Sequence, residues 1–267
     1  MPKAPINGIE LYYESHGDES APAIIFAHGR GGNHMSWWQQ VAAFSADYRC
    51  ITFDHRGWGA SIAEHGSPLR ENFIDDLTAL LDHLKIDKVF LVAQSMGGFS
   101  CLGFALAHPK RTLGLVLGDT TGGVATEGTL AALKNTSPPP DGPARSLSAS
   151  FIKENPALTF LYLQIQGQNP PRGEDGVISG FRREDGPQLE AFTGWRIPTL
   201  LIVGQEDAIF PPEVIAEVQK VIPGSRMEVV PGAAHSAHFE QASVFNGYLS
   251  GLFSSVLSGS VAGAAAD

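Results

Sequence analysis

Short, nearly continuous apolar runs alternate along this chain with longer stretches of helical spacing, and that alternation leaves few folds open. The runs lie at residues 9–13, 23–27, 50–53, 89–93, 113–117, 199–203 and 227–230. A run that is apolar at successive positions suits a strand covered on both faces, as in the middle of a parallel sheet. Between the runs, Phe73, Ile74, Leu77, Leu80, Leu81 and Leu84 form one helical stripe. Val214, Ile215, Val218 and Val221 form another, with Pro212 at a position that suits a helix start. Strands alternating with helices predict an open, mostly parallel sheet flanked by helices, an α/β architecture.

The alternation breaks between residues 121 and 195. This stretch holds Ser137-Pro138-Pro139-Pro140 and Pro170-Pro171 with many glycines, which favours loops and short helices. It also carries Phe151, Phe160, Tyr162, Phe181 and Phe192, which a plain linker has no use for. We therefore expect a small cap at 121–195, inserted after the sixth strand over the carboxyl end of the sheet. Residues 1–120 and 196–257 would form the core. The Ala/Gly/Ser-rich tail at 258–267 is expected to be disordered. At 267 residues the chain is near the upper size for one hydrophobic core.

The strongest chemical signal is Val89-Phe90-Leu91-Val92-Ala93-Gln94-Ser95-Met96-Gly97-Gly98, an apolar strand running into a serine and then a small-residue helix. It resembles the turn G-x-S-x-G that presents the nucleophile of α/β hydrolases. That turn holds the serine at positive φ, so the residues two before and two after it must be small. Here they are Ala93 and Gly97. Further pieces of the same resemblance follow in order along nearly the whole chain. They are His28-Gly29-Arg30-Gly31-Gly32, Asp54-His55-Arg56-Gly57-Trp58-Gly59-Ala60-Ser61, Gly204-Gln205-Glu206-Asp207-Ala208-Ile209-Phe210-Pro211, and Gly232-Ala233-Ala234-His235 followed by Glu240. The resemblance implies the α/β-hydrolase fold, with a structural role for the segment 54–61.

It also implies roles. A serine hydroxyl needs a base to take its proton. Of nine histidines, His235 follows the last apolar run on the loop where this fold places its base, with His238 as rival. His16, His28, His34, His55, His65, His83 and His108 read as structural or solvated. The base needs a carboxylate to fix its tautomer. Asp207, just past the run at 199–203, is the expected acid, although its residue type and place also suit a plain turn-former. Asp119, after the run ending at Leu117, is the second candidate. The glycine-rich turn after 23–27 suits an oxyanion hole, in which Met96 N–H and Arg30 N–H are the expected donors, with Gly31 as alternative to Arg30. Gly29, Gly31 and Trp37 are the expected substrate contacts. Trp38 and Trp58 are further apolar candidates, and the Arg30 side chain is a candidate for an acidic substrate group.

Together these features predict a serine hydrolase acting on carboxylic esters or lactones through an acyl-serine. The segment Ala233-Ala234-His235-Ser236-Ala237-His238-Phe239-Glu240-Gln241 looks most like 3-oxoadipate enol-lactonase relatives. Ser236 replaces the aromatic residue that follows the catalytic histidine in C–C hydrolases of ring-cleavage products. Ser95 stands where haloalkane dehalogenases and epoxide hydrolases carry aspartate. C–C bond hydrolysis, cofactor-free perhydrolysis, and a hydrolase-fold receptor with negligible turnover stay open as alternatives.

The formal net charge of −10 and the absence of a basic stripe argue against nucleic-acid partners. No apolar run reaches 18 residues, so no membrane span is expected. No secretory apolar segment stands near the start, so the cytoplasm is the expected compartment. Cys50 and Cys101 read as buried thiols rather than a disulfide. No metal or organic cofactor is expected, and the protein should be a monomer or homodimer that binds a small ester or lactone.

Overall fold

A computed structural model describes residues 2–63, 70–140, 142–170 and 185–260 of the chain. Within them the elements run β1 (Lys3–Ile6), β2 (Ile9–His16), β3 (Ala23–Ala27), α1 (Trp38–Phe44), β4 (Arg49–Phe53), α2 (Phe73–His83), β5 (Val89–Gln94), α3 (Gly97–Ala107) and β6 (Thr112–Gly118). They continue with α4 (Glu127–Lys134), α5 (Ala149–Glu154), α6 (Pro156–Gly167), β7 (Thr199–Gly204), α7 (Pro212–Val221), β8 (Arg226–Val230), α8 (Ala237–Glu240) and α9 (Ala242–Leu257).

The strands form one eight-stranded sheet in the order β1-β2-β4-β3-β5-β6-β7-β8. β3 to β8 are parallel, while β1 and β2 add an antiparallel edge. This is the mostly parallel, helix-flanked sheet that the apolar runs implied. β1 had no counterpart among those runs. Only Ala4 and Ile6 of this short strand face inward, and Pro5 between them disguises the pattern.

Alternate side chains of each central strand feed two separate cores. Ile25, Ala27, Leu91 and Ala93 pack against Leu77, Leu80 and Leu81 of α2 and Val214, Ile215 and Val218 of α7. Ile24, Phe26, Phe90 and Val92 face the other way, onto Phe44 of α1 and Phe245, Leu249 and Phe253 of α9. Cys50 and Cys101 are free and buried.

The order places the site. From β3 the chain steps outward to β4, then crosses back past β3 to β5. The carboxyl ends of β3 and β5 are therefore neighbours from which the chain departs in different directions. Such a switch point leaves a crevice, where ligands bind in open α/β sheets. The glycine loop leaves β3 and Ser95 leaves β5 at this crevice.

The segment 121–195 divides its packing, as far as it is described. Leu133 of α4 joins the core beside α7, as do Phe192 and Trp195. Leu147, Phe151 and Ile165, on and beside α5 and α6, make a separate cluster with Phe239 of α8. Phe160 is exposed, and Phe181 lies outside the described residues. Of the tail expected to be disordered, 258–260 close the end of α9, and 261–267 lie outside the described residues.

The turn after β4 is fixed by a buried ion pair. Arg56 Nε and Nη2 donate to Asp76 Oδ2 and Oδ1 at 2.9 and 2.7 Å. Arg56 Nη2 also reaches Asn7 O at 3.0 Å, and Asn7 Nδ2 returns to Asp76 Oδ1 at 2.9 Å. Three chain segments thus meet on one carboxylate. Removing one member leaves a buried, uncompensated charge, which costs about 3–5 kcal/mol. Asp76→Ala should lower the unfolding free energy by about that amount in a urea titration. A loss below about 1 kcal/mol would place the pair among the weak, solvent-screened kind.

Candidate active site

Ser95 sits at the end of β5 with φ 49°, a left-handed conformation that is uncommon for a side-chain-bearing residue. The neighbours explain how it is held. Ser95 N–H donates to Gly118 O at 3.0 Å, and Thr120 Oγ1 donates to Ser95 O at 2.7 Å. A Cβ on Gly97 would collide with Ala27 O, so the position two after the serine tolerates only glycine without backbone movement. The turn lifts Oγ off the sheet at the start of α3, where N–H groups lack acceptors within their own helix.

His235 Nε2 lies 2.9 Å from Ser95 Oγ, and His235 Nδ1 lies 2.9 Å from Asp207 Oδ2. A carboxylate only accepts, so Nδ1 carries the proton and the Nε2 lone pair faces the serine hydroxyl. Asp207 Oδ1 accepts from Ile209 N–H at 2.8 Å and Phe210 N–H at 3.0 Å. One carboxylate therefore builds its own loop with one oxygen and orients the imidazole with the other. Asp207 thus forms its own turn and also contacts His235 Nδ1. Burial pulls the His235 pKa down. The charge and hydrogen bond of Asp207 push it up further, and the outcome lies above the 6.5 of an ordinary histidine.

The two rivals sit differently. Asp119 also has a left-handed backbone, at φ 48°, but both of its oxygens accept from backbone N–H groups. Gly204 N–H donates at 2.8 Å and Ala237 N–H at 3.0 Å. Burial, with the charge of Asp207, pushes its carboxyl up to about 8. His238 packs on Trp37 with ring centroids 4.5 Å apart, and burial, with the His235 charge, holds its pKa down to about 3. It stays neutral at ordinary pH.

The glycine loop after β3 is braced from below. His28 Nδ1 donates to Gly29 O at 2.8 Å, and His28 Nε2 accepts from His55 N–H at 3.0 Å. Gly32 N–H also donates to Gly29 O, at 3.0 Å. Because the peptide is planar and trans, the Arg30 N–H points away from that tethered carbonyl. Trp58 Nε1 anchors the next carbonyl, Arg30 O, at 2.8 Å. Met96 is buried against Trp58, Phe73 and Phe99.

A cavity of about 680 Å³ opens above Ser95 and His235. Arg30 and Gly31 stand on its wall, with Tyr162 and Gln166 from α6 and Ile209 and Phe210 from the acid loop. Two expected contacts are corrected. Trp37 is fully buried among Phe26, His238 and Phe245 and is not on the wall. Gly29 is buried behind it, where a Cβ would strike the Gln94 side chain and approach Ser95 Cβ at 3.1 Å. Trp58 is buried too and Trp38 faces solvent, so neither lines the cavity. His65 lies outside the described residues.

Three further contacts involve residues with no positioning role expected from the sequence. Gln94 Nε2 donates to His235 O at 2.6 Å. Glu240 Oε1 accepts from Ala234 N–H at 2.8 Å, and its Oε2 accepts from Ser148 N–H at 2.7 Å. Tyr162 OH lies 3.1 Å from Ser236 Oγ.

A family model for the alpha/beta hydrolase fold matches residues 22–137 and 130–242. The chain belongs to the α/β-hydrolase fold family. It is 28% identical over 264 residues to 3-oxoadipate enol-lactonase 1 of Acinetobacter baylyi, covering 93% of this chain and 95% of that protein. It is 28% identical over 260 residues to the 2-hydroxy-6-oxononadienedioate/2-hydroxy-6-oxononatrienedioate hydrolase of Paraburkholderia xenovorans, covering 89% and 88%. Among solved structures, a thermophilic esterase from Thermogutta terrifontis with malate bound superposes with a TM-score of 0.79. It is 26% identical, over 96% of this chain and 97% of that one. The α/β-hydrolase fold is thus shown by sequence and by structure. Among the described residues, no helix is long and apolar enough to cross a membrane.

Proposed function

We propose that this α/β-hydrolase is a serine hydrolase of carboxylic esters or lactones, with Ser95 as nucleophile, His235 as base and Asp207 as acid. The observation that carries the reading is the single row Ser95 Oγ, His235, Asp207, joined by two contacts of 2.9 Å beneath the cavity. His235 takes the Ser95 proton as Oγ attacks the carbonyl carbon. The oxyanion forms against the N–H groups of Met96 and Arg30, each worth about 3 kcal/mol in such a role. His235 then returns the proton to the leaving alcohol, giving an acyl-Ser95. Water attacks the acyl group and gives its proton to His235, and the acid leaves as Ser95 is restored.

The assignment is tested by labelling with a fluorophosphonate and by turnover on p-nitrophenyl esters, lactones and a vinylogous diketone. Ser95→Ala should lose both labelling and ester turnover while keeping its unfolding temperature within a few degrees, because the hydroxyl borders the cavity and its contact with His235 is worth about 1 kcal/mol. Normal turnover in that variant would remove Ser95 from the chemistry. Preference for the diketone over every ester would move the reading to C–C bond hydrolysis.

The two carboxyls separate in a paired experiment. Asp207→Asn should reduce kcat by about 10⁴-fold, because an amide N–H facing Nδ1 forces the wrong tautomer. Asp119→Asn should reduce kcat less than about tenfold, with its main cost in stability through one lost backbone hydrogen bond. The reverse ranking would make Asp119 the acid.

His235 acts as base only when neutral. Its pKa is raised, so kcat/KM should climb with pH and reach half its plateau above pH 6.5. A limb centred below 6.5 would show that burial outweighs the Asp207 charge.

A further inference from the structure

The described part of the cavity wall has a charge opposite to that of the protein. The chain carries 28 acidic and 18 basic Lys and Arg side chains, a net charge of −10. Among the described residues lining the cavity there are two arginines, Arg30 and Arg145, and no aspartate or glutamate. An acidic protein repels an anion at long range, so the arginines among these described residues must act locally.

Arg145 is the more telling of the two. It ends a short turn, Pro143–Arg145, just before α5. Its Nη1 donates to Pro139 O at 2.7 Å and so closes the turn. No carboxylate among the described residues lies within ion-pair distance of it. A guanidinium has five N–H donors in a planar fork suited to a carboxylate, and this contact uses only part of that fork. A half-buried guanidinium without a counter-ion is costly unless water or a ligand supplies the missing acceptors. The charge is also felt at the reacting centre, where it opposes the rise in the His235 pKa. Arg30, by contrast, stands on the glycine loop and has interactions of its own.

We propose that Arg145 anchors a free carboxylate of the substrate, so that the protein selects esters or lactones bearing a second, acidic group. The inference rests on the hydrolase reading of the cavity and narrows its substrate class. The reacting carbonyl sits at Ser95 Oγ while the remote carboxylate pairs with the guanidinium across the cavity. Its energy is then available to orient the carbonyl. Arg145 is a specificity residue here and takes no part in proton transfer.

The test is a binding measurement that needs no turnover. Ser95→Ala protein is titrated by calorimetry with monomethyl glutarate and with dimethyl glutarate, which differ by one free carboxylate. The monoester should bind at least about tenfold tighter, the size of one charge-assisted contact. Adding Arg145→Met should bring the two affinities together, and Arg145→Lys should give an intermediate ratio, since a point charge replaces the fork. Equal affinity for both esters in protein that keeps Arg145 would overturn the proposal, whether or not the methionine variant folds. So would discrimination that survives in Arg145→Met. If the monoester is preferred but wild-type protein hydrolyses no ester, the anchor stands and the hydrolase reading falls.

Discussion

The left-handed backbone at Ser95 is the constraint around which the rest of the site is arranged. A side-chain-bearing residue held there costs about 1–3 kcal/mol, and it persists only if its surroundings hold it. Here the holding comes from both neighbouring strands. β6 supplies Gly118 O, and Thr120 just beyond it supplies a hydroxyl. On the other side the end of β3 presses so close that Gly97 has no room for a Cβ. The serine cannot relax without moving the centre of the sheet. Because β3 also launches the glycine loop, Ser95 and the tethered Arg30 peptide share one rigid support.

Two buried carboxyls behind one imidazole pose an electrostatic problem, and the backbone resolves it. Asp207 offers one oxygen to its loop and the other to His235. Asp119 spends both oxygens on the backbone, tying the end of β7 to the start of α8. Burial beside a second anion disfavours the charged form of Asp119, hence its rise to about 8. Through these two contacts Asp119 braces the loop that carries Asp207 against the loop that carries His235.

Much of this was legible in the sequence because each element of the row follows a strand end. The runs at 89–93 and 199–203 announce Ser95 and Asp207, and the run at 227–230 leads to His235. A strand fixes where the next residue emerges, so position along the chain carries position in space. The failures have the same physical root. Trp37 and Gly29 were expected at the cavity from residue type and proximity in sequence, yet burial depends on which partners arrive from elsewhere. For Trp37 those partners are Phe245 and His238, some two hundred residues on. Gln94, Tyr162 and, toward Ser148, Glu240 make contacts far along the chain, which no local pattern specifies. Arg145 lies where periodicity stops, so nothing in the chain marked it as facing the cavity.

The base loop is held from three directions, and one of them couples it to the segment that walls the cavity. Gln94 grips the carbonyl of His235 from the end of β5. Tyr162 meets Ser236 from α6. Glu240 accepts from Ala234, beside the base, with one oxygen and from Ser148, at the head of α5, with the other. Ser148 stands three residues after Arg145. A displacement of this wall therefore strains a buried carboxylate whose second bond positions the residue next to His235. Buried hydrogen bonds of this kind are costly to break, so the Glu240 carboxylate couples this wall to the loop that carries His235. The geometry around His235 therefore depends on the same carboxylate that holds the head of α5, so a substitution that breaks the Glu240 link loosens both at once.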